Sequence, residues 1–338
     1  MARRSITGPA APNGPPLISV AIVTFQSAQT LERCLAALKA QTFTDFELLI
    51  ADNASSDGAP QAAAKADPRL RLLDMASNLG FAAANNRAAE AARGRWLVLL
   101  NPDAYPQPDW LEQLLACAAA HPQAHCFTSR QLMAQDPSRL DGLGDAMTFI
   151  GFPFRGGYGR PDPGPDTPAR EVFSPCGAAM MIDRALFLSL GGFDETYFCY
   201  CEDVDLGYRL RLLNEPIIAE PKACVLHEGS ASTGGRRSDF SLFHGARNRL
   251  WTFIKNTPPL LFWPTLPLHA VATLALWLAA SGRGEGEAVA RGLMAGLTGL
   301  GPVWRDRDVV QSRRVSSARA IGARMVWNPL AAAKRVPR

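Results

Sequence analysis

The feature that most constrains this fold is a run of eight residues, Leu17-Ile18-Ser19-Val20-Ala21-Ile22-Val23-Thr24, apolar almost throughout and rich in β-branched side chains. A strand open to water on one face alternates in polarity. One that does not alternate is covered on both faces, which implies a parallel sheet between helical layers. The pattern then recurs along the chain. Thr30 to Ala40 carries Leu31, Leu35 and Leu38 on one helical stripe, and Phe46 to Ala51 is a second apolar strand. A helix near 59–66, a short strand near 70–74, an Ala-rich helix over 81–92 and the strand Trp96 to Leu100 follow. Strands and helices alternating at this spacing predict an α/β fold with a doubly wound, mostly parallel sheet. Farther on, the spacing predicts a strand near 178–182 and helices near 184–190, 202–213 and 240–256. The Gly/Pro-rich stretch 151–170 reads as a mobile loop.

At 338 residues the chain is long enough for one large domain and an appendage. Its hydrophobic share of 47% and charged share of 20% are globular values, which excludes a disordered chain. Seven scattered cysteines include no C-x-x-C pair, so neither a zinc knuckle nor a disulfide framework is indicated, and a reducing cytosol is the simplest setting. Charge is unevenly placed. Residues 281–338 hold eleven Lys/Arg against four Asp/Glu, which leaves residues 1–280 net acidic within a chain of +4. A basic tail on an acidic body suits an anionic surface. Residues 1–16 lack an apolar core and read as a flexible leader.

Three polar clusters directly follow buried strands: Thr24-Phe25-Gln26-Ser27, Asp52-Asn53-Ala54-Ser55 and Asn101-Pro102-Asp103. Ligands of open α/β sheets bind at the carboxyl ends of the strands, so the three converge where a site belongs. Asx turns closing strands would explain any one of them alone. No G-x-G-x-x-G and no G-x-x-x-x-G-K-S/T follows the first strand, which weighs against dinucleotide enzymes and P-loop NTPases. Later in the chain, Glu202-Asp203-Val204-Asp205 opens a helix after Gly191-Gly192. Tyr197, Phe198 and Tyr200 stand nearby to wall a pocket. The helix dipole alone would favour these acids, but a carboxylate held in a pocket can also take a proton from a hydroxyl. Asp205 stands four residues before Arg209, the spacing of an ordinary helix ion pair.

Taken with Asn78-Leu79-Gly80-Phe81 and Asn85-Asn86, these motifs resemble the family 2 glycosyltransferases of GT-A fold, and most closely their rhamnosyltransferase-like branch. The resemblance covers about residues 17–255. It implies a GT-A domain over 17–256 and a C-terminal helical appendage over 257–338. It further implies a nucleotide-diphosphate sugar donor, dTDP- or UDP-linked, held by Thr24, Asp52, Asn78, Gly80, Asn101 and Asp103. Asp103 matches the last acid of the family's D-x-D, which grips a divalent cation, Mg²⁺ or Mn²⁺. Asn101 replaces the first acid of that motif, which weakens the case for tight metal binding. His227 falls where relatives supply a further ligand. Asp203 is implied as general base of an inverting transfer, with Glu202 and Asp205 orienting acceptor hydroxyls or Asp203 itself. Arg247-Asn248-Arg249 are candidates to meet a diphosphate or a lipid-linked acceptor.

Leu260 to Ala280 is nearly all apolar but holds Pro264 and Pro267. The uninterrupted run after them is too short to span a bilayer of about 30 Å. With Trp304, Trp327 and the surrounding arginines, an interfacial platform is expected, hence a cytoplasmic protein peripheral on the cytoplasmic face of the cell membrane. The alternatives are a true membrane span, a helical subdomain packed on the core or a homodimer contact. Nucleic acid is not an expected partner, because the tail holds no reader motif. The expected function is transfer of a sugar, rhamnose foremost, to a lipid-linked or polysaccharide acceptor. The rival readings are a non-catalytic nucleotide-sugar-binding scaffold and a processive polysaccharide synthase.

Overall fold

The computed structural model describes residues 14–67, 69–229, 237–328, 331–332 and 334–335. Most of the expected leader, and Ser230 beyond His227, lie outside the described residues. The first half runs β1 (Ile18–Thr24), α1 (Leu31–Lys39), β2 (Phe46–Asp52), α2 (Ala59–Ala66), β3 (Leu70–Asp74), α3 (Gly80–Ala91) and β4 (Trp96–Leu100). Next come β5 (Ala104–Pro106), α4 (Trp110–Ala120), β6 (Cys126–Met133), β7 (Asp136–Leu143), β8 (Asp145–Met147), β9 (Pro153–Arg155) and β10 (Arg170–Glu171). The chain continues through β11 (Ala179–Asp183), α5 (Arg184–Ser189), a 3₁₀ turn (Glu195–Tyr197), α6 (Glu202–Leu212) and β12 (Ile217–His227). Five helices close it: α7 (Asp239–Asn256), α8 (Pro259–Ser281), α9 (Gly286–Thr298), α10 (Leu300–Ser312) and α11 (Ala318–Ala323).

The main sheet orders its strands β10-β12-β6-β11-β4-β1-β2-β3. Strands β3, β2, β1 and β4 are parallel, β11 inserts antiparallel between β4 and β6, and β12 is parallel to β6. Burial on both faces explains the unbroken apolar runs. Ile18, Val20 and Ile22 pack with Leu31, Leu38, Leu111 and Leu114 on one side. Ala21 and Val23 pack with Ala82, Ala84, Ala88 and Leu206 on the other. The alanines of α3 carry too little side chain to hold that helix off the sheet.

Two expectations need correction. The 151–170 stretch is not simply a loop: its Pro153–Arg155 pairs antiparallel with Asp145–Met147. Nor do Pro264 and Pro267 break the apolar segment, because α8 is one helix of 23 residues. The prolines remove bonds to the carbonyls of Leu260 and Trp263, residues that are 81% and 62% exposed, so water can satisfy those oxygens. Thr265 Oγ1 adds a bond to the Leu261 carbonyl at 2.7 Å.

Helix α7 fastens the segment that leads into α6. Phe198, Tyr200 and Cys201 all have positive φ, at 63°, 70° and 66°. Such backbone in non-glycine residues costs on the order of 1–3 kcal/mol each and persists only where the surroundings enforce it. The enforcing group is Asn248, whose Nδ2 donates to the carbonyls of Tyr197, Cys199 and Tyr200 at 2.9, 2.8 and 2.7 Å. One α-helical turn pair farther along, buried Lys255 Nζ lies 2.7 Å from Asp205 Oδ1 and 2.6 Å from Asp194 Oδ2. Arg209 and Asn256 also donate to Asp205, each on a different oxygen. Burial works to raise the Asp205 pKa, but Lys255 and Arg209 outweigh it and hold the carboxyl at about 2.

Lys255→Met is expected to cost about 3–5 kcal/mol, because it removes the cation between buried Asp205 and half-buried Asp194. Urea unfolding measures it. Since the folded-state pKa of Asp205 is depressed, its contribution is complete above the unfolded value of about 3.9 and is lost as pH falls toward 2. The wild-type advantage over the variant should therefore shrink in that window and stay constant from pH 5 to 7. Asn248→Asp, which turns acceptor oxygens toward three carbonyls, should cost about 2–3 kcal/mol in the same assay.

Candidate active site

At the carboxyl ends of β1, β2 and β4 a cleft of about 720 Å³ opens, bounded across from them by the β8–β9 hairpin, the 198–204 segment and α7. Of the predicted residues, Asn78, Gly80, Asn101, Asp103, Glu202, Asp203 and His227 all line it. Three do not. Thr24 and Asp52 are buried beneath the rim, where Thr24 Oγ1 donates to Asp52 Oδ1 at 3.3 Å and Asp52 Oδ1 also accepts from Ser55 N at 3.0 Å. Their neighbours Val23, Phe25 and Asn53 form the wall in their place, because strand side chains alternate in direction. Asp205 faces away from the cleft into the Lys255 cluster, so it stabilises the segment's fold and does not touch the site. Tyr197, expected at the wall, also turns inward, with its hydroxyl 3.3 Å from Asp205 Oδ1.

Asp203 is the second residue of α6. Its Oδ2 accepts from Gly177 N and its Oδ1 from Val204 N, both at 2.8 Å. The approach at Gly177 is close: a β-carbon at that position would stand 3.3 Å from Asp203 Cβ. Burial raises the Asp203 pKa, while the two backbone donors and the Arg155 guanidinium pull it back, leaving it above the ordinary aspartate value. Glu202, next to it, is buried, and its Oε2 has no hydrogen-bond partner among the described residues. Burial and the adjacent Asp203 push Glu202 well up, so it holds its proton and leaves the charge of the pair to Asp203. Cys199 and Cys201 line the same wall, but burial raises both thiols, which excludes an activated nucleophile.

The other wall carries Asn101, Asp103 and His227. His227 Nδ1 donates to Asp141 Oδ2 at 2.7 Å. Its Nε2 is buried, 3.4 Å from Asp103 Oδ1, and makes no aligned hydrogen bond. Burial opposes a charge on this imidazole, but the Asp103 and Asp141 carboxylates outweigh it and lift the pKa to about 9. Asn101 Oδ1 is likewise buried with no partner among the described residues. Among the described residues no group of three or more His, Cys, Asp or Glu gathers around one point. The set nevertheless fits a divalent cation shared with a phosphate ligand. Two ligands at right angles, each about 2.1 Å from an ion, stand about 3 Å apart, close to the Asp103–His227 separation. A carboxylate on the far nitrogen is how a ligating histidine is usually oriented.

Sequence reasoning missed Arg155 and Asp141. Arg155 pairs with Asp141 and lines the cleft, but it lies in a stretch whose glycines and prolines masked its strand. Asp141 sits in β7, whose polar first half hid the strand. Trp110 is core, with its indole donating to Ser129 Oγ at 2.8 Å. Arg247 donates to the Thr196 and Tyr197 carbonyls, and of the Arg247-Asn248-Arg249 trio only Arg249 lines the cleft.

A family model described as Glycosyl transferase family 2 matches residues 19–187, half of the chain. An N-acetylglucosaminyl-diphospho-decaprenol L-rhamnosyltransferase of Mycobacterium tuberculosis is 33% identical over 245 residues, 64% of this chain and 78% of that one. The O-antigen biosynthesis protein RfbC of Myxococcus xanthus is 32% identical over 238 residues, 67% of this chain but 18% of its own length. Among solved structures, GalNAc-T7 with UDP, GalNAc and Mn²⁺ superposes with a TM-score of 0.58 at 16% identity, over 71% of this chain and 48% of that one. The mannosyltransferase PcManGT from Pyrobaculum calidifontis, in complex with GDP-Man and Mn²⁺, gives 0.51 at 20% identity, over 96% and 91%. At those identities the structures speak to the fold alone, and that fold is GT-A. The chain therefore belongs to the family 2 glycosyltransferases, in their rhamnosyltransferase-like branch.

Proposed function

We propose that this glycosyltransferase moves a sugar, rhamnose foremost, from a nucleotide-diphosphate donor to a hydroxyl of a lipid-linked or polysaccharide acceptor in cell-surface glycan synthesis, with inversion at the anomeric carbon. The observation that carries the reading is that Asp203 and Asp103 line one cleft. An inverting displacement needs its base and its leaving-group anchor on opposite sides of one carbon, which a shared cavity permits. The mycobacterial relative, named for a diphospho-decaprenol acceptor, supports the acceptor class.

Asp203 takes the proton of the acceptor hydroxyl as that oxygen bonds to the anomeric carbon. The carbon–oxygen bond to the diphosphate breaks, and its electron pair leaves with the nucleoside diphosphate. The ionised form of Asp203 is the active one, and the α6 N-terminus and Gly177 N–H keep its oxygens aimed. Neutral Glu202 is able to donate a hydrogen bond to an acceptor oxygen. Asn53 Nδ2 donates to the Gly80 carbonyl at 3.1 Å, and Asn53 Oδ1 accepts from Leu79 N. That clip, with Thr24 and Asp52 beneath it, shapes the nucleotide side. Asp103 and His227, with Asn101 Oδ1 facing the same space, would hold Mg²⁺ or Mn²⁺. Such an ion, when bound, neutralises charge on the departing diphosphate.

The protein is also assigned to the cytoplasmic face of the membrane. Over 18 residues α8 has a mean hydropathy of 1.4 and only 17% of it is buried. Leu260, Trp263, Val271, Leu274 and Leu278 stand exposed along it. With the basic residues beyond 281, this face suits peripheral contact with anionic lipid.

Asp203→Asn should lower transfer by about 10²–10⁴-fold with nucleotide-sugar affinity nearly unchanged. Full transfer by that variant rejects the base assignment. Because burial raises Asp203, the acid limb of the kcat/KM profile should lie above the ordinary aspartate value of 3.8, with activity lost as pH falls through it. Arg155→Met removes a positive charge from Asp203 and should move that limb to higher pH. Asp141→Asn should weaken Mn²⁺ affinity in the presence of nucleoside diphosphate by about 10–100-fold, read by calorimetry.

A further inference from the structure

A groove of about 450 Å³ runs between α10 and the turn from Leu190 to Thr196, and it shares no lining residue with the catalytic cleft. Asp306, Val309 and Arg313 line it from α10. They stand three and four residues apart. Arg313 is the C-cap but keeps helical backbone, at φ −86° and ψ −6°, so the three form one stripe along the helix. Its charges are unmatched. Neither the Asp306 carboxylate nor the Arg313 guanidinium has a hydrogen bond or ion pair among the described residues. Asp306 is half-buried, and burial together with Asp194 across the groove raises its pKa above the ordinary aspartate value. Arg313 is exposed, and Val309 between them is 50% exposed.

The two charges cannot satisfy each other. Seven residues of helix separate them by about 10.5 Å, whereas an acid and a base on one helix pair at three or four residues. The spacing does satisfy a second copy of the same helix. A two-fold axis crossing α10 between residues 309 and 310 sets its copy antiparallel, and 306 and 313 lie equally far from that axis on either side. Asp306 of each copy then faces Arg313 of the partner subunit, and the two exposed valines meet beside the axis. One symmetry operation thus matches both charges on both copies and covers the apolar position, as an isologous contact requires. At its acidic end the groove presents Asp194 as well as Asp306 to the arriving guanidinium. A small ligand would need a cation and an anion about 10 Å apart to do the same.

We propose that this chain forms a two-fold dimer through α10, with Asp306 of each copy paired to Arg313 of the partner subunit and Val309 beside the axis. The groove's opposite wall carries Asp194, the partner of Lys255, so the second copy would press on the turn that braces α6. One pair of 13-residue helices buries less than a standard interface of about 1,600 Å², so the dimer should be concentration-dependent. The proposal does not depend on the sugar-transfer reading, and its test reads no activity.

The test is sedimentation of the full chain over a concentration series, in a mild detergent that masks the exposed face of α8. Wild type should pass from monomer to dimer. Asp306→Arg and Arg313→Asp each set like charges opposite one another and should weaken the dimer about tenfold or more. The double variant Asp306→Arg/Arg313→Asp restores opposite charges and should recover wild-type affinity to within about threefold. Such recovery also shows that neither reversal unfolds the chain. A wild type that stays monomeric, single variants that dimerise like wild type, or a double variant no tighter than the singles overturns the proposal. Val309→Cys gives a second reading: on oxidation it should yield a disulfide-linked dimer that wild type does not form, and absence of that dimer overturns the position of the axis. Native mass spectrometry showing a monomer with a small molecule bound would assign the groove to that ligand and overturn the dimer as well.

Discussion

The contact on which this architecture depends is buried Lys255 against Asp205. It ties three pieces that are distant in sequence: α7, the first turn of α6 and, through Asp194, the turn after Gly192. One buried carboxylate, one half-buried carboxylate and a buried ammonium would be expensive apart. Together, with Arg209 and Asn256 completing the set, they leave α6 one position relative to α7. That position lets Asn248 reach the carbonyls of Tyr197, Cys199 and Tyr200, and the segment so held aims Glu202 and Asp203 at the cleft. The Asp203 wall is therefore held from behind by polar contacts as well as by the sheet core, on which Leu206 and Leu210 of α6 pack.

Three carboxyls within four positions consequently live in three environments. Asp205 is surrounded by cations and stays ionised. Glu202 is buried with no cation beside it among the described residues, and burial with Asp203 alongside pushes its pKa well up. Asp203 lies between these extremes, raised by burial and restrained by two N–H donors and Arg155. A base needs that intermediate state: ionised at working pH, yet basic enough to accept a proton. The sequence E-D-x-D thus places a buried acid with a raised pKa, the proposed base and a structural anion on different sides of one helix turn.

Local pattern carries the donor half well and the acceptor half poorly. β1, β2 and β4 were legible because burial on both faces writes unbroken apolar runs, and polar residues directly after such runs mark the ligand rim. Asp103, His227 and Asp203 were reachable through motif resemblance. Asp205 was half legible: its ion pair with Arg209 could be read at helical spacing and is present, while its other cation, Lys255, stands 50 residues away. Arg155 and Asp141 were hidden in short or irregular strands whose pairing is tertiary. The prolines of α8 read as breaks because sequence does not reveal that the freed carbonyls face water.

Asn101 has a consequence for how the proposed cation and donor bind. A site with Asp103 facing His227 Nε2, and Asn101 in place of a second acid, holds less negative charge than a D-x-D with two acids. A hard dication prefers oxygen anions and keeps water when they are few. The donor diphosphate supplies the missing charge, so each ligand raises the affinity for the other by the same factor, as linkage requires. A cation bound weakly alone and firmly with donor would be released once the nucleoside diphosphate departs. On this view the amide at 101 would favour turnover over retention of metal, and Asp141, bonded to His227 Nδ1, would keep that proposed ligand oriented between cycles.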